Sequence, residues 1–185
     1  MRPRASAFIA TSLDGYIARA DGSLDWLDDA QGLIPEGEDC GYLEFMASID
    51  GIVMGRHTFE RVLTFDPWPY GQTPVYVLSH APIAIPVVLA SAVHSFQGTL
   101  ESLVALLGAK GFRHLYVDGG QTIQGLLRSG LLDDLTITVV PVLLGAGRPL
   151  FGSLAHDVEL TLMRSHAYEF GFVQSTYRVE RDGPI

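Results

Sequence analysis

Two segments of this sequence share one order of features: an apolar strand, a short turn with glycine, and the start of a helix. The run 51–54 leads directly into residues 55–58 (GRHT), and the run 114–117 leads into residues 118–120 (DGG). Strands that alternate with helices pair as parallel neighbours, because the crossover helix returns the chain to the same end of the sheet. The repeated unit therefore predicts an α/β fold with a mainly parallel sheet and helices on both faces.

Periodicity and turn residues place the other elements. Further strands are predicted over residues 5–10, 74–79, 87–90 and 135–142, and helices over 39–48, 59–63, 99–109 and 122–128. Segments 158–164 and 172–180 are predicted to pair as an antiparallel hairpin. Residues 19–37, with glycines, acidic residues and one proline, are expected to form a long loop. A chain of 185 residues fits one domain, so we expect a single domain over residues 1–185.

Charge and cysteine content narrow the range of functions. A formal net charge of -9 repels phosphate backbones and anionic membranes, so we expect neither nucleic acid nor a membrane as a partner. Cys40 is the only cysteine, which excludes an intrachain disulfide and a thiolate zinc cluster. The histidines show no ligand spacing with carboxylates, so no metal site is expected. No apolar run reaches the roughly 18 residues of a membrane span, and we expect a soluble, cytoplasmic protein.

The first corner, residues 55–58, has the features of an anion site. The free amides in the first turn of a helix point outward with a partial positive charge. Gly55 lets a phosphate approach the backbone, Thr58 can donate a hydroxyl hydrogen bond, and Arg56 supplies a forked cation suited to a phosphate monoester. The alternative interpretation is that Arg56 and His57 are ordinary solvated residues and that Thr58 only caps the helix.

The second corner, residues 117–122, again joins a strand, a glycine turn and the start of a helix. It departs from G-x-G-x-x-G and lacks the acidic partner of that motif, so a Gly-Gly pair that merely makes a tight turn is the alternative. Two such corners on one sheet favour a single pyrophosphate clamped between them.

Longer segments around both corners resemble a known family. Residues 51–60 (GIVMGRHTFE), 77–79 (VLS) and 118–120 (DGG) resemble the cofactor-binding segments of dihydrofolate reductase, in the same order and at similar spacings. Residues 12–18 (SLDGYIA), 130–135 (GLLDDL) and 141–147 (PVLLGAG) resemble the reductase domain of the bifunctional riboflavin-biosynthesis deaminase and reductase, which shares that fold. The resemblance implies a dihydrofolate-reductase-like three-layer α/β/α fold, ending in the antiparallel hairpin, that binds NADPH.

The resemblance also implies which residues hold the cofactor. Arg56 would bind the 2'-phosphate with help from Ser79 and His80, and an arginine at this position favours NADP over NAD. Ala10 and Ile17 would contact the nicotinamide. The other implied cofactor contacts, most of them around the pyrophosphate, are Gly55, His57, Thr58, Leu78, Asp118, Gly119, Gly120, Gln121 and Thr122.

At the acceptor end, the same resemblance places Asp39 where dihydrofolate reductase keeps its one pocket carboxylate. Asp39, Tyr42 and Leu43 share a face of the predicted helix 39–48, so a carboxylate beside an apolar slot is expected there. Such a carboxylate can anchor an amidine-like ring edge or assist proton delivery. The alternative is that Asp39 is a solvated helix cap. Thr138 would reach the substrate ring, the alternative being an ordinary strand threonine.

These residues together predict an NADPH-dependent oxidoreductase that passes a hydride to a pteridine- or pyrimidine-type heterocycle. By resemblance, the activity is similar to that of the 5-amino-6-(5-phosphoribosylamino)uracil reductase of riboflavin biosynthesis. A true dihydrofolate reductase is the alternative enzyme. A catalytically inactive NADPH-binding regulatory module is the alternative of another class. The resemblance also suggests a homodimer.

Overall fold

The structure, a computed structural model, describes residues 1–180. Residues 181–185 of the expected domain lie outside the described residues. The strands are β1 (Arg4–Ser12), β2 (Tyr16–Ala18), β3 (Gly51–Gly55), β4 (Val75–Leu78), β5 (Val93–Phe96), β6 (His114–Asp118), β7 (Asp134–Val140), β8 (Arg148–Pro149), β9 (Leu160–Ala167) and β10 (Val173–Val179). The helices are α1 (Asp25–Gln31), α2 (Tyr42–Ala47), α3 (Arg56–Val62), α4 (Leu100–Ala109) and α5 (Gly120–Arg128).

Eight of these strands form one sheet in the order β5-β4-β3-β6-β1-β7-β10-β9. The pairs from β5 to β7 are parallel, whereas β10 pairs antiparallel with both β7 and β9. The remaining strands, β2 and β8, form a separate antiparallel ribbon. The predicted α/β fold, with a mainly parallel sheet and an antiparallel C-terminal hairpin, is confirmed.

The sheet has a hydrophobic core on each face. On one face, Leu103 and Leu107 of α4 and Ile123 of α5 pack against a cluster that includes Val53. On the other face, Phe59 of α3 packs in a cluster with Ile52 and other strand residues. Val53 and Ile52 serve opposite cores because successive side chains of a strand point to opposite faces. This alternation gives the three-layer arrangement, with the carboxyl ends of the parallel strands left open at one edge.

The predicted strand over residues 87–90 is wrong. Its valines form one turn of 3-10 helix, Val87–Leu89, and the strand β5 begins only at Val93. Val87 and Val88 are 92% and 86% exposed, so their β-branched side chains have no sheet to cover. The later segment forms the edge strand of the sheet instead, and there Val93 pairs with Val75 of β4 and is buried. Strand propensity alone therefore misplaced this element by several residues.

The predicted loop over residues 19–37 contains the helix α1, which the sequence analysis missed. Trp26 and Ala30 are its buried residues, and they pack with Val140 and Phe172 from distant strands. The helix predicted over 39–48 is shorter at its start and begins at Tyr42. The two residues that directly precede Tyr42 are Cys40 and Gly41. Their φ values are positive, 54° and 78°, which a helix does not allow.

A cluster of polar side chains lies at the end of the sheet where β6 begins, opposite the open edge. His114 Nε2 lies 2.7 Å from Ser6 Oγ, which donates to Asp134 Oδ2 at 3.0 Å. His114 Nδ1 lies 3.2 Å from the carbonyl oxygen of Ser48. Burial, followed by the nearby Arg4 guanidinium, lowers the pKa of His114 below its ordinary value. The folded chain therefore favours neutral His114.

This cluster predicts that the protein loses stability in mild acid. The pKa of His114 is lower in the folded state than in the unfolded state. Neutral His114 therefore makes its full contribution to the free energy of unfolding above the unfolded pKa of about 6.5, and this contribution is lost as the pH falls below that value. We expect His114→Gln to remove this part of the pH dependence, worth about 1.4 kcal/mol for each unit by which the two pKa values differ. Urea unfolding at pH 7.5 and 5.5 measures it. An equal pH effect in wild type and His114→Gln, with exposed His166→Gln as the control, would contradict the prediction.

Candidate active site

A cleft of about 1390 Å³ lies at the carboxyl ends of the parallel strands. It is bounded by the first turns of α3 and α5 and by the β2–β8 ribbon. All of the predicted cofactor contacts line it, together with Asp39, Tyr42 and Thr138. Leu43 does not line it, and its side chain is 71% exposed. The structure thus brings together every residue of the predicted site except Leu43.

The two glycine corners touch each other inside this cleft. Gly119 has a φ of 91°, and a Cβ at this position would overlap Thr58 Oγ1. A Cβ at Gly55 would in turn lie 3.5 Å from Thr122 Oγ1, which is ordinary contact. Gly119 precedes α5 and Gly55 precedes α3, and neither helix start carries a side-chain cap. The two helix starts, neither of them capped by a side chain, therefore meet at one place in the cleft.

The β2–β8 ribbon covers the start of α5. A Cβ on Gly120 would lie only 2.7 Å from Ile17 Cδ1, so the backbone of α5 and the side chain of Ile17 are in close contact. Asp14 holds the base of the ribbon, because its carboxylate accepts the backbone amides of Leu144 and Gly145. The ribbon and the second corner therefore form one continuous wall of the cleft.

Arg56, the predicted 2'-phosphate ligand, lines the cleft but has a carboxylate partner. Its Nε donates to Glu60 Oε1 at 2.6 Å, and this ion pair lowers the pKa of Glu60. Both side chains are about half exposed, so the pair is weak. Ser79 is engaged locally, since its hydroxyl donates to the carbonyl oxygen of Ala81 at 2.6 Å.

Two further arginines belong to this site, and the sequence analysis missed both. Arg61 and Arg148 line the cleft and, with His57, Asp21 and Ser23, a smaller cavity of about 300 Å³ beside it. The Nε of Arg61 is buried and has no hydrogen-bond partner within residues 1–180. Arg148 Nε donates a long hydrogen bond of 3.4 Å to the carbonyl oxygen of Ala20, so its guanidinium is only weakly held within residues 1–180. Nothing local in the sequence connects residues so far apart.

At the acceptor end, Asp39 acts as a cap. Its Oδ1 accepts the amide of Gly41 and its Oδ2 accepts the amide of Leu43, both at 2.8 Å. Of the two roles that the sequence left open, this geometry supplies capping, and a catalytic role for Asp39 stays a prediction. Thr138 is buried, and its hydroxyl accepts from Gln174 Nε2 at 3.0 Å. Thr138 therefore lines the cleft with its oxygen already engaged.

Another cleft carboxylate, Asp118, lies among phenols. The Tyr70 hydroxyl donates to Asp118 Oδ2 at 2.7 Å, and the nearby Tyr116 hydroxyl donates to the carbonyl oxygen of Phe8 at 3.1 Å. Burial raises the pKa of Asp118 and outweighs the hydrogen bonds from Tyr70, Gly119 and Tyr116, which lower it. Burial, followed by the charge of Asp118, also raises the pKa of Tyr42 to about 12. The sequence analysis named Tyr42 but offered no signal for Tyr70 or Tyr116.

Residues 4–173 match the family described as the RibD C-terminal domain. The chain belongs to the RibD C-terminal domain family. It is 33% identical over 163 residues to the uncharacterized protein YwjB of Bacillus subtilis (strain 168), covering 88% of this chain and 90% of YwjB. A crystal structure from Shewanella sp. PV-4, of a candidate riboflavin biosynthesis protein, is 43% identical with a TM-score of 0.89, covering 96% of this chain and 99% of that one.

The same fold extends to dihydrofolate reductase. The enzyme of Enterococcus faecalis, solved in complex with NADP(H) and RAB-propyl, superposes with a TM-score of 0.63 at 17% identity, covering 98% of this chain and 99% of that one. At that identity the likeness shows the fold alone. The dihydrofolate-reductase-like fold implied by the sequence resemblance is therefore confirmed for this RibD C-terminal domain.

No group of three or more histidine, cysteine, aspartate or glutamate side chains within residues 1–180 is placed to hold a metal ion. Over the same residues, no helix has the length and apolarity needed to cross a membrane.

Because the two corners are in contact, we predict that Gly119→Ala destabilises the protein more than a glycine-to-alanine change in open space does. The new Cβ would both adopt an unfavourable φ and overlap Thr58 Oγ1, so we expect unfolding free energy to fall by about 2 kcal/mol or more. Gly111→Ala is the matched control, because Gly111 has a φ of 92° and open space around its Cβ position. Thr58→Ala should partly rescue Gly119→Ala in urea unfolding. Equal losses for the two glycines would show that the corners are not in contact.

Proposed function

We propose that this chain is an NADPH-dependent reductase that transfers a hydride to a pteridine- or pyrimidine-type heterocycle. The observation that carries the proposal is the contact of Gly119 with Thr58, which joins two helix starts at one cleft. Membership of a reductase domain family supports oxidoreductase chemistry. The dihydrofolate reductase with the same fold was solved with NADP(H), which supports this cofactor.

The residues of the cleft fit a dinucleotide diphosphate. The glycine corner is a cradle that a Cβ would fill, and the buried, unpartnered Arg61 Nε is a donor that an oxyanion would satisfy. In the proposed complex, the amides of both corners and Thr58 hold the pyrophosphate, with His57, Arg61 and Arg148 closing over it. Arg56 exchanges Glu60 for the 2'-phosphate, beside Ser79 and His80. When bound, NADPH supplies the hydride.

The protein's part in the reaction is alignment and exclusion of water. Ala10 and Ile17 would set the depth of the nicotinamide, and the β2–β8 ribbon would keep water from the transferred hydride. The acceptor would lie in the half of the cleft lined by Leu27, Ile34 and Phe172, next to Tyr42. This apolar and aromatic lining suits a flat ring better than a sugar or a peptide.

Arg56→Ala tests the cofactor. We expect it to weaken NADPH by about 1 to 3 kcal/mol and to leave NADH nearly unchanged, because only NADPH carries the 2'-phosphate. Calorimetric titration with both nucleotides measures this, and Arg128→Ala, an exposed arginine at the far end of α5, is the control. Equal losses for both nucleotides would show that Arg56 does not read the extra phosphate.

Turnover separates the enzyme from a regulatory module. NADPH absorbance is followed with dihydrofolate, aminopyrimidinone ribosyl phosphates and simple quinones or aldehydes as acceptors. The reductase oxidises NADPH with at least one heterocycle of this panel. A protein that binds NADPH tightly and oxidises it with none of them would be a regulatory module.

We further propose that the reductase is a cytoplasmic homodimer. The free thiol of Cys40 suits a reducing compartment. The edge strand β9 is exposed along its whole length, and Leu160, Leu162 and Met163 present apolar side chains there. An exposed apolar edge strand is an aggregation hazard unless another chain covers it, and a second copy is the simplest cover.

Leu162→Glu tests the dimer. A charge on β9 should shift the protein from dimer to monomer in sedimentation velocity at micromolar concentration, because the carboxylate would be buried in the interface. Val87→Glu introduces the same charge at an exposed position off the sheet and should leave the dimer intact. A wild-type protein that sediments as a monomer would contradict the proposal.

A further inference from the structure

A row of three side chains crosses the sheet at the acceptor end of the cleft. Ala10 of β1 pairs with Thr138 of β7, and Thr138 pairs with Gln174 of β10. Paired residues of neighbouring strands present their side chains on the same face of a sheet. Ala10 and Thr138 line the cleft, whereas Gln174 is only 3% exposed. The row therefore joins the expected nicotinamide contact to a buried amide.

Two hydrogen bonds fix the orientation of the Gln174 amide. Its Nε2 lies 2.9 Å from the carbonyl oxygen of Cys40 and 3.0 Å from Thr138 Oγ1. A carbonyl oxygen can only accept, so the amide nitrogen must face Cys40 and the amide oxygen cannot. The two hydrogens of that nitrogen match the two acceptors. Both donors of Gln174 are thus used, and Thr138 Oγ1 is the acceptor in its bond.

Cys40, the other acceptor, lies in a turn with an unfavourable backbone. It is the one non-glycine residue within residues 1–180 that has a positive φ. A conformation of this kind persists where surrounding contacts hold it, and the bond from Gln174 holds its carbonyl group. The turn leads into α2, whose first residue, Tyr42, lines the cleft. Gln174 therefore connects two parts of the acceptor end, the turn before α2 and Thr138.

The bond to Gln174 also decides what Thr138 can offer to a ligand. A hydroxyl group has a single hydrogen, and when its oxygen accepts from Gln174 that hydrogen points away from the amide. Within residues 1–180, the Thr138 side chain forms no other hydrogen bond. Because Thr138 lines the cleft, its hydrogen is available to a group bound there. Thr138 is consequently a donor toward the cleft.

We infer that Gln174 is a positioning residue that sets Thr138 as a hydrogen-bond donor to the acceptor ring. The inference rests on the proposed reductase function, which supplies the ring. The ring atom that faces Thr138 then carries a lone pair, as a carbonyl oxygen does. An amino group in that place could use only the remaining lone pair of the hydroxyl oxygen and would leave the hydroxyl hydrogen without a partner. Through Thr138, Gln174 selects heterocycles with an oxo group over those with an amino group.

A direct test of the hydrogen bonds needs no acceptor. Nitrogen-15 labelling gives the two side-chain amide protons of Gln174, assigned through its own backbone amide. We expect both to resonate downfield of an exposed glutamine amide. In Thr138→Val one of them should move upfield, because its acceptor is gone, while the proton bonded to Cys40 keeps its position. Both protons at exposed-amide positions, or both unchanged in Thr138→Val, would overturn the inference whatever the enzyme reduces.

Thr136→Val is the matched control for this variant. Thr136 lies on the same face of β7 and is buried, and its hydroxyl pairs with Thr176 of β10 at 3.0 Å. It does not line the cleft. This variant removes a buried threonine hydroxyl from the same pair of strands, so it should leave both Gln174 amide protons in place.

The test of specificity compares two flat rings of one size, pteridine-2,4-dione and pteridine-2,4-diamine. Calorimetric titration measures their binding to the NADP⁺ complex. Thr138→Val should weaken the dione about fivefold and the diamine less than about twofold, because only the dione presents carbonyl oxygens. Thr138→Ser keeps the hydroxyl and should restore the wild-type ratio of the two affinities. Gln174→Met frees the Thr138 hydroxyl to turn and should shift that ratio toward the diamine, whereas Gln97→Met, exposed and outside the cleft, should not.

The double variant distinguishes positioning from a structural effect. If Gln174 acts through Thr138, Gln174→Met should leave the ratio unchanged in a Thr138→Val background. A further shift in that background, or an unchanged ratio in Thr138→Val alone, would overturn the inference. NADP⁺ affinity within about threefold of wild type shows that each variant is folded. A wild-type protein with the expected amide protons that binds neither ring would count against the proposed reductase, and the inference would fall with it.

Discussion

The contact between Gly119 and Thr58 is the constraint on which the candidate site depends. It fixes the start of α5 against the start of α3, and a side chain on Gly119 would push them apart. β3 and β6 are parallel neighbours, so the sheet sets the distance between the helices that follow them, α3 and α5. The missing side chain at Gly119 lets the starts of these helices approach each other. The two uncapped helix starts meet in one row, the arrangement that the proposed diphosphate would need. The rest of the cleft is arranged around that row.

Positively charged side chains near the glycine corners distinguish this end of the cleft from the rest of an acidic protein. The net charge is -9, yet Arg56, Arg61, Arg148 and His57 all line the same end of the cleft. Each comes from a helix turn or a ribbon strand that faces the corners. A local cationic site in an anionic surface attracts a small polyanion while the surface repels long ones. This arrangement supports the proposed nucleotide cofactor.

The sequence predicted what is encoded locally and missed what depends on distant partners. Strands with buried apolar runs and glycine corners were placed within a few residues, because a turn such as Asp118-Gly119-Gly120 fixes its own geometry. The helix around Trp26 was missed because its burial depends on Phe172, far along the chain. Arg61 was likewise hidden in an ordinary helix, and its role appears only when the ribbon brings another arginine opposite it. Contacts between segments that are far apart in the chain produce no periodic pattern in the sequence.

The two acids at the acceptor end show how surroundings outweigh residue type. Both side-chain oxygens of Asp39 accept backbone amides, and so Asp39 stabilises the start of α2. Asp118 is packed among aromatic rings, and its burial raises its pKa and outweighs the hydrogen bonds from Tyr70, Gly119 and Tyr116, which lower it. The fold therefore gives a structural task to the residue that the sequence nominated for chemistry, while its catalytic role stays a prediction.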